Sequence, residues 1–162
     1  MNCGKLYFNR IKVHYKQQVL FDHREQLIAA VLKKRAAFAR AHQIVVALME
    51  PHIDEKDFLD MLAQIGPENY ADIVEERHIN KLCGYPPCDV AVENVPTKKY
   101  QICGIKNKVY DITERKKFCS GHCFKASEYI KSQVPTSPLW LRDKEPNPNF
   151  KILPRENLIR TE

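Results

Sequence analysis

The longest helical pattern of the chain begins with a capping box, in which Asp22 is followed three residues later by Glu25, and it ends before Pro51. Apolar side chains recur between these limits at helical spacing, so we predict that they face the core. Arg35 and His42 fall on the same stripe, where a snorkelling arginine and a hydrogen-bonded core histidine explain them more simply than a functional role does. The stripe consists of Ile28, Val31, Leu32, Phe38, Ala39, Val45, Val46 and Met49.

Two shorter helices are predicted after this one. Asp54 caps the first, which ends at Gly66, and Pro67 opens the second, which runs into a pair of cysteines. The first carries Phe58, Leu59, Met61, Leu62 and Ile65, and the second carries Tyr70, Ile73, Val74, Arg77 and Leu82 roughly on one side.

Alternating residues at 100–103 and 108–112 predict a β-hairpin whose turn is residues 104–107. A fourth helix is predicted from about Ser120 to Gln133, and the proline-rich chain beyond it should run extended around Trp140. The pattern therefore predicts a mainly α fold with one small hairpin. The inward-facing residues of the fourth helix are expected to be Phe124, Ser127, Tyr129 and Ile130.

Length and composition fit a single intracellular domain. The chain has 162 residues, of which 44% are hydrophobic, and this is enough for one core. No apolar run approaches the roughly 20 residues that cross a bilayer, and no signal-peptide core is evident. The net charge of +6 suits a partner that carries phosphate or acidic groups, although ordinary solvation of long helices also accounts for it.

Four cysteines form two closely spaced pairs. Cys83 and Cys88 enclose Gly-Tyr-Pro-Pro, which suits a tight knuckle, and Cys119 and Cys123 lie at the start of the fourth helix. Such pairs are typical of tetrahedral zinc, and a reducing compartment disfavours the alternative of two disulfides. Four unrelated thiols, or His122 in place of Cys123, are further alternatives. With four thiolates the zinc would be structural, because no coordination position is left for water.

The chain divides accordingly into three parts. Residues 1–21 alternate basic and aromatic side chains without a helical stripe, which fits a short strand, a partner-binding arm or a disordered leader. Residues 22–145 form the predicted helical zinc-binding domain. Residues 146–162 form an extended or disordered tail.

Common catalytic signatures are absent, including Cys-x5-Arg, Asp-x-Asp, His-Glu-x-x-His and a Walker phosphate loop. Charged clusters at 72–77 and 110–117 flank the two cysteine pairs, and a shared zinc would bring them together. Their Arg and Lys side chains could then bind a phosphate, while a carboxylate or tyrosine acts as base or nucleophile. The alternative is salt bridges on solvated helix ends.

Several blocks of the sequence, taken in order, resemble the zinc-binding domain of the RNA polymerase II-associated protein 2 family, which includes the fungal regulators of transcription. The resemblance covers roughly residues 25 to 145. The blocks are Ile-Val-Glu-Glu-Arg at 73–77, Cys-Gly-Tyr-Pro-x-Cys at 83–88, Val-Tyr-Asp-Ile-Thr-Glu-Arg at 109–115, Phe-Cys-Ser at 118–120, and Pro-x-x-Pro-x-Trp-x-Arg ending at Arg142.

The resemblance implies a mostly helical fold with one zinc and association with RNA polymerase II. It also implies an atypical phosphatase that acts on phosphoserine, chiefly at the fifth position of the heptad repeats in the C-terminal domain of the largest subunit. Fungal members can have histidine in place of the last cysteine at the same spacing, which favours Cys123 over His122. The implied zinc ligands are Cys83, Cys88, Cys119 and Cys123.

The family's proposed pocket maps onto Glu76, Tyr110 and Arg115. We expect Arg115, helped by Lys116 or Lys117, to clamp the phosphate. Glu76 would position a water or act as general base, and Tyr110 would donate a proton or act as nucleophile.

Two functions remain open at this point. One is a phosphoserine phosphatase for the polymerase tail, and the other is a non-catalytic polymerase-binding factor for assembly, nuclear import or transcription regulation. The expected partners are RNA polymerase II, its phosphorylated tail and small GTPase assembly factors, without a membrane. Direct nucleic-acid binding is least favoured, because no platform of exposed aromatic and basic residues is marked. We expect the protein to shuttle between nucleus and cytoplasm.

Overall fold

The computed structural model describes residues 3–93, 95–146 and 148–154, with side chains described from Phe21 onward. The fold is mainly helical with a small hairpin, as predicted. Within the described ranges, no helix combines the length and apolarity needed to cross a membrane. The helices are α1 (Cys3–Met49), α2 (Glu55–Leu62), α3 (Pro67–Ile79) and α4 (Gly121–Gln133); the strands are β1 (Tyr100–Cys103) and β2 (Lys108–Asp111); and short 3-10 helices span Arg115–Lys117 and Leu139–Lys144.

The start of α1 differs from the prediction, because the helix begins at Cys3 rather than at Asp22. The Asp22 and Glu25 pattern therefore lies inside the helix and caps nothing. Residues 5–20 contain neither glycine nor proline, so nothing in the chain interrupts the helix before Asp22.

The core-facing side of α1 also differs from the predicted stripe. Ala41, Ile44 and Leu48 are buried, and they lie on a neighbouring side of the helix. Arg35 and His42 are exposed, so the prediction of a snorkelling arginine and a core histidine was wrong. The cause is that α1 packs on α3 and on the Leu139–Lys144 turn, and this packing buries a side of the helix that the apolar stripe did not indicate. The stripe residues left exposed are Ile28, Val31, Leu32, Phe38, Ala39 and Val46.

The predicted starts of the next two helices are confirmed, whereas their ends come earlier than predicted, at Leu62 instead of Gly66 for α2 and at Ile79 instead of the cysteine pair for α3. The Asp54 carboxylate accepts a hydrogen bond from the Lys56 amide at 3.1 Å, which caps α2. Gly66 precedes α3, and its amide donates to the side chain of Asn69 at 3.0 Å. Both helices contribute fully buried side chains to one core, namely Phe58, Leu62, Tyr70 and Ile73.

The hairpin and the start of α4 are confirmed as well. β1 and β2 pair antiparallel with Tyr100 opposite Asp111, and Asn107 takes the positive φ of 46° that closes the turn. Ser120 caps α4, because its hydroxyl accepts from the Cys123 amide at 3.1 Å. The prediction for Tyr129 was wrong, since this side chain is exposed on α4.

The segment around Trp140 forms a 3-10 helix instead of running extended. Arg142 holds it in place, because its guanidinium donates to the carbonyl oxygens of Ala63 at 3.1 Å and Ile65 at 2.7 Å. The same guanidinium donates to Pro135 O at 2.6 Å and Ser137 O at 2.8 Å. The partly buried guanidinium of Arg142 therefore determines the local backbone, which the proline content did not indicate.

Candidate metal centre

The four paired cysteines converge in space. Their Sγ atoms all lie within 4.8 Å of one another. Cys119 Sγ is 3.7 Å from Cys88 Sγ and 3.6 Å from Cys123 Sγ, and none of the four forms a disulfide. A tetrahedral zinc with Zn–S bonds of about 2.3 Å places its sulfur atoms about 3.8 Å apart. The cluster therefore has the composition and spacing of a four-thiolate zinc site.

The first pair sits on a buried knuckle that follows α3. Lys81 has a positive φ of 59°, which turns the chain directly after the helix. The Cys88 amide donates to Tyr85 O at 2.9 Å, and the Cys83 amide donates to Val90 O at 3.1 Å. These bonds close the Gly-Tyr-Pro-Pro turn and aim both thiols at one point.

Gly84 joins this knuckle to the segment that carries the second pair. Its amide donates to Lys117 O at 3.0 Å. A Cβ on Gly84 would lie 2.9 Å from Val74 Cγ1, 3.1 Å from Phe118 Cε1 and 3.2 Å from Lys117 O. Glycine therefore suits this position because a side chain would overlap Val74 and crowd both Phe118 and the Lys117 carbonyl.

The pKa values of the clustered thiols are shifted in different directions. A hydrogen bond with Cys123, together with burial, raises the pKa of Cys83. The hydrogen bond from Cys83 in turn lowers the pKa of Cys123 to about 5, and burial raises that of Cys119 to about 11. At least one thiolate is thus favoured without a metal, and thiolates are the species that bind zinc.

Arg77 is fully buried beside the knuckle, at 0% exposure. Its guanidinium donates to Cys83 O at 2.8 Å and Cys88 O at 2.9 Å. It also donates to Leu48 O at 3.1 Å and Glu50 O at 2.7 Å, at the end of α1. Sequence reasoning missed this role, although an arginine on the apolar side of α3 was a signal for it.

The two charged clusters that flank the cysteine pairs meet, as predicted, at an ion pair between Lys117 and Glu75. Lys117 also contacts Glu114, at 2.8 Å. Burial lowers the pKa of Lys117, but the carboxylates of Glu114 and Glu75 outweigh it, so the pKa lies above its ordinary value. These three residues therefore form a salt-bridge network.

The predicted phosphate-site residues have different surroundings. Arg115 is half-buried, donates to Phe118 O at 3.1 Å, and lines a cavity of about 360 Å³ together with Lys116 and Cys119. Glu76 is exposed on α3 and Tyr110 is exposed on β2, and neither lines this cavity. The structure thus places Arg115 beside the cysteine cluster, while the three-residue pocket stays a prediction.

Residues 63–135, which include all four clustered cysteines, match the model of the Rtr1/RPAP2 family. The RPAP2 homolog of Drosophila melanogaster is 73% identical over 132 residues, which cover 82% of this chain and 92% of that protein. The chain belongs to the Rtr1/RPAP2 family. The family resemblance inferred from the sequence blocks is thereby confirmed.

Two further relatives extend the comparison. The Rattus norvegicus protein named RNA polymerase II subunit B1 CTD phosphatase Rpap2 is 44% identical over 128 residues, or 79% of this chain, but the chain spans only 21% of that relative. The crystal structure of transcription regulator protein Rtr1 from Kluyveromyces lactis superposes with a TM-score of 0.58 over 74% of this chain and 84% of that one. At 20% identity this likeness shows a shared fold.

Proposed function

We propose that this chain is an RNA polymerase II-associated factor that binds the phosphorylated C-terminal domain of subunit B1 and removes phosphate from its serines. The names of the relatives in mammals and Drosophila support this assignment. The structural observation that carries it is the cavity beside the cysteine cluster, which Arg115 and Lys116 line together. Guanidinium matches phosphoryl oxygens in a bidentate geometry.

We infer that Cys83, Cys88, Cys119 and Cys123 hold one Zn²⁺. Four thiolates complete its coordination, so the ion supplies structure and no activated water. Its function is to fasten the knuckle after α3 to the segment that bears Arg115. The Arg115 guanidinium and the Glu76 carboxylate of α3 are thereby kept at a constant distance from each other.

Hydrolysis requires water to attack phosphorus while the bond to the serine oxygen breaks and that oxygen receives a proton. In our proposal Arg115 neutralises the phosphate, Glu76 accepts a proton from the attacking water, and Tyr110 donates a proton to the serine oxygen. Neither Glu76 nor Tyr110 lines the Arg115 cavity in the free chain. The hydrolytic step therefore depends on their approach to the phosphate once a tail peptide is bound.

The experiment is phosphate release from a heptad-repeat peptide that carries phosphoserine at the fifth position. We expect Arg115→Ala to lower kcat/KM at least about tenfold, and Glu76→Ala or Tyr110→Phe to lower kcat about 100-fold. Lys56→Ala removes an equal charge from exposed α2 and should leave the rate unchanged. Equal losses in the Arg115 and Lys56 variants would contradict the phosphate-clamp assignment.

The second candidate is a polymerase-binding factor without catalysis, and the separation of Glu76 and Tyr110 from the Arg115 cavity favours it. Its signature would be binding of the phosphorylated peptide that Arg115→Ala abolishes, with no phosphate released by any variant. Comparing binding to phosphorylated peptide, unmodified peptide and duplex DNA over a range of salt separates both functions from nucleic-acid binding. Co-purification with a small GTPase assembly factor but not with polymerase would indicate an indirect association.

We also propose that the protein shuttles between nucleus and cytoplasm, as an assembly or import role requires. Imaging a fluorescent fusion before and after blocking nuclear export tests this. Nuclear accumulation after the block is the expected result, and an unchanged distribution would contradict it.

A further inference from the structure

The outer part of α1, residues 21–36, carries large apolar side chains that the rest of the domain leaves exposed. Residues 21–36 are exposed without exception, and the core contacts of the helix come from its C-terminal end. From Cys3 to Ala36 the helix is roughly 50 Å long at about 1.5 Å per residue. Large apolar side chains that stay exposed side by side on one long helix indicate a surface for contact with another molecule.

The exposed side chains follow a heptad pattern. Phe21, Ile28 and Arg35 are spaced seven apart, and Arg24, Val31 and Phe38 form the second series at the same spacing. Together these six residues form a seam along one side of α1, the pattern of a helix that pairs with another. Leu27 and Leu32 flank it, and its apolar members are about half exposed, from 49% at Ile28 to 55% at Phe21.

The same segment carries the positive charge of the chain. Residues 3–40 contain nine Lys or Arg and two Asp or Glu, a net charge of +7 against +6 for the whole protein. The remaining residues are thus close to neutral in sum. Within the seam itself, Arg24 and Arg35 interrupt the apolar positions.

The positive charge of residues 3–40 and the two arginines of the seam limit which kind of partner can bind there. A second copy of the chain would bring two segments of +7 together, which electrostatic repulsion opposes. A lipid surface would require the two arginines to enter its apolar layer, since they lie in the middle of the apolar face rather than on the opposite one. Nucleic acid would satisfy the arginines but leave the large apolar side chains uncovered.

We propose that the seam of α1, from Phe21 to Phe38, is a docking surface for an amphipathic helix of a partner protein that places acidic side chains opposite Arg24 and Arg35. Buried arginines next to apolar contacts would determine the register of the pair, as polar residues do in coiled coils. The surface lies on α1 outside the cysteine cluster and the Arg115 cavity. The inference does not rest on the tail-directed function.

The test uses the full chain and a synthetic amphipathic peptide of about three heptads, with apolar core positions and Glu opposite Arg24 and Arg35. A second peptide carries Lys in place of these Glu residues. Trp140 is the sole tryptophan, and its ring lies 5.6 Å from that of Phe38 at the end of the seam, so its fluorescence reports binding. We expect the Glu peptide to bind at least about 100-fold more tightly than the Lys peptide, with slowed hydrogen exchange at residues 21–38.

Three variants test whether the peptide binds at the seam. Arg35→Glu should weaken binding of the Glu peptide at least about tenfold and improve binding of the Lys peptide. Ile28→Gln should weaken both complexes. Ala29→Gln, on an exposed position of α1 outside the seam, should change neither by more than about twofold.

Several outcomes would overturn the proposal. They are equal binding of the two peptides, binding of neither, and an Arg35→Glu variant that behaves like Ala29→Gln. The same holds if the chain sediments as a dimer that Ile28→Gln dissociates, or if anionic phosphatidylserine vesicles or duplex DNA protect residues 21–38 better than the Glu peptide does.

Discussion

The knuckle region and the outer part of α1 differ in where their side chains find contacts. Around the knuckle, thiols, a buried guanidinium and a glycine all have close partners inside the domain, as the five carbonyl bonds of Arg77 illustrate. In the outer part of α1, large apolar side chains such as Phe21 and Leu32 remain more than half exposed. The comparison indicates that one region is built for internal stability and the other for contact with another molecule.

The largest expected effect comes from breaking the cysteine cluster. Cys119→Ser, or removal of zinc by a chelator, should unfold the region from Leu82 to about Ala126, because structural zinc contributes on the order of 10 kcal/mol to folding. Circular dichroism and elemental analysis for one zinc per chain test this. Cys103→Ser is the matched control, since this free thiol lies on β1 and outside the cluster. A folded, zinc-free Cys119→Ser protein would contradict the expectation.

Removing the buried guanidinium should have the second largest effect. Arg77→Met leaves the carbonyls of Leu48, Glu50, Cys83 and Cys88 without their donor, and we expect a loss of about 3–5 kcal/mol in the free energy of unfolding. Asp72→Asn, at an exposed position of the same helix, should change this free energy by less than about 0.5 kcal/mol. Chemical denaturation compares the two, and similar values for both would show that the Arg77 bonds contribute little.

A smaller effect is expected from adding a single methyl group at the knuckle. Gly84→Ala should cost about 1–3 kcal/mol, because the new Cβ would overlap Val74 and approach the Lys117 carbonyl. Gly104→Ala adds the same group where no atom lies within 4 Å, and it should be nearly neutral. Combining Gly84→Ala with Val74→Ala tests whether space is the cause, since the paired change should cost less than the sum of the two single changes.

The smallest effect is expected in the outer part of α1. Ile28→Gln and Val31→Gln should each change the free energy of unfolding of the domain by less than about 0.5 kcal/mol, because neither side chain packs on the core. The same substitutions at buried Ile44 and Leu48 should each cost more than about 2 kcal/mol. Thermal unfolding monitored at Trp140 measures both sets, and equal losses would remove the contrast between the two regions.

The features that the sequence predicted correctly are those determined within a few residues of one another. The Asp54 cap, the Gly66-Pro67 start of α3 and the Ser120 cap each depend on one side chain and the next turn of backbone. The four cysteines were recognised by residue type and spacing, and the structure brings all four together. Local chemistry suffices for the caps because their partners are neighbours along the chain, whereas the two cysteine pairs, 31 positions apart, were matched by their residue type.

Two incorrect predictions concern positions whose burial or conformation depends on residues far away in the sequence. The apolar residues of α1 can form more than one stripe, and packing against α3 selects Ala41, Ile44 and Leu48. The segment at Trp140 contains prolines that suit an extended chain, yet Arg142 draws it into a turn by binding carbonyls of Ala63 and Ile65. A single-sequence pattern contains no information about which of several compatible surfaces another element will cover.

The sequence by itself therefore determined the starts of α2, α3 and α4, the hairpin, the set of four cysteines that cluster and the excess of positive charge before residue 41. The tertiary structure alone decided that Arg77 fastens α1 to the knuckle, that Gly84 must lack a side chain, and that the seam stays exposed from Phe21 to Val31 while Phe38 meets Trp140. The physical reason is that caps, turns and charge are properties of adjacent residues. Burial is a property of pairs of surfaces that meet only after the chain has folded.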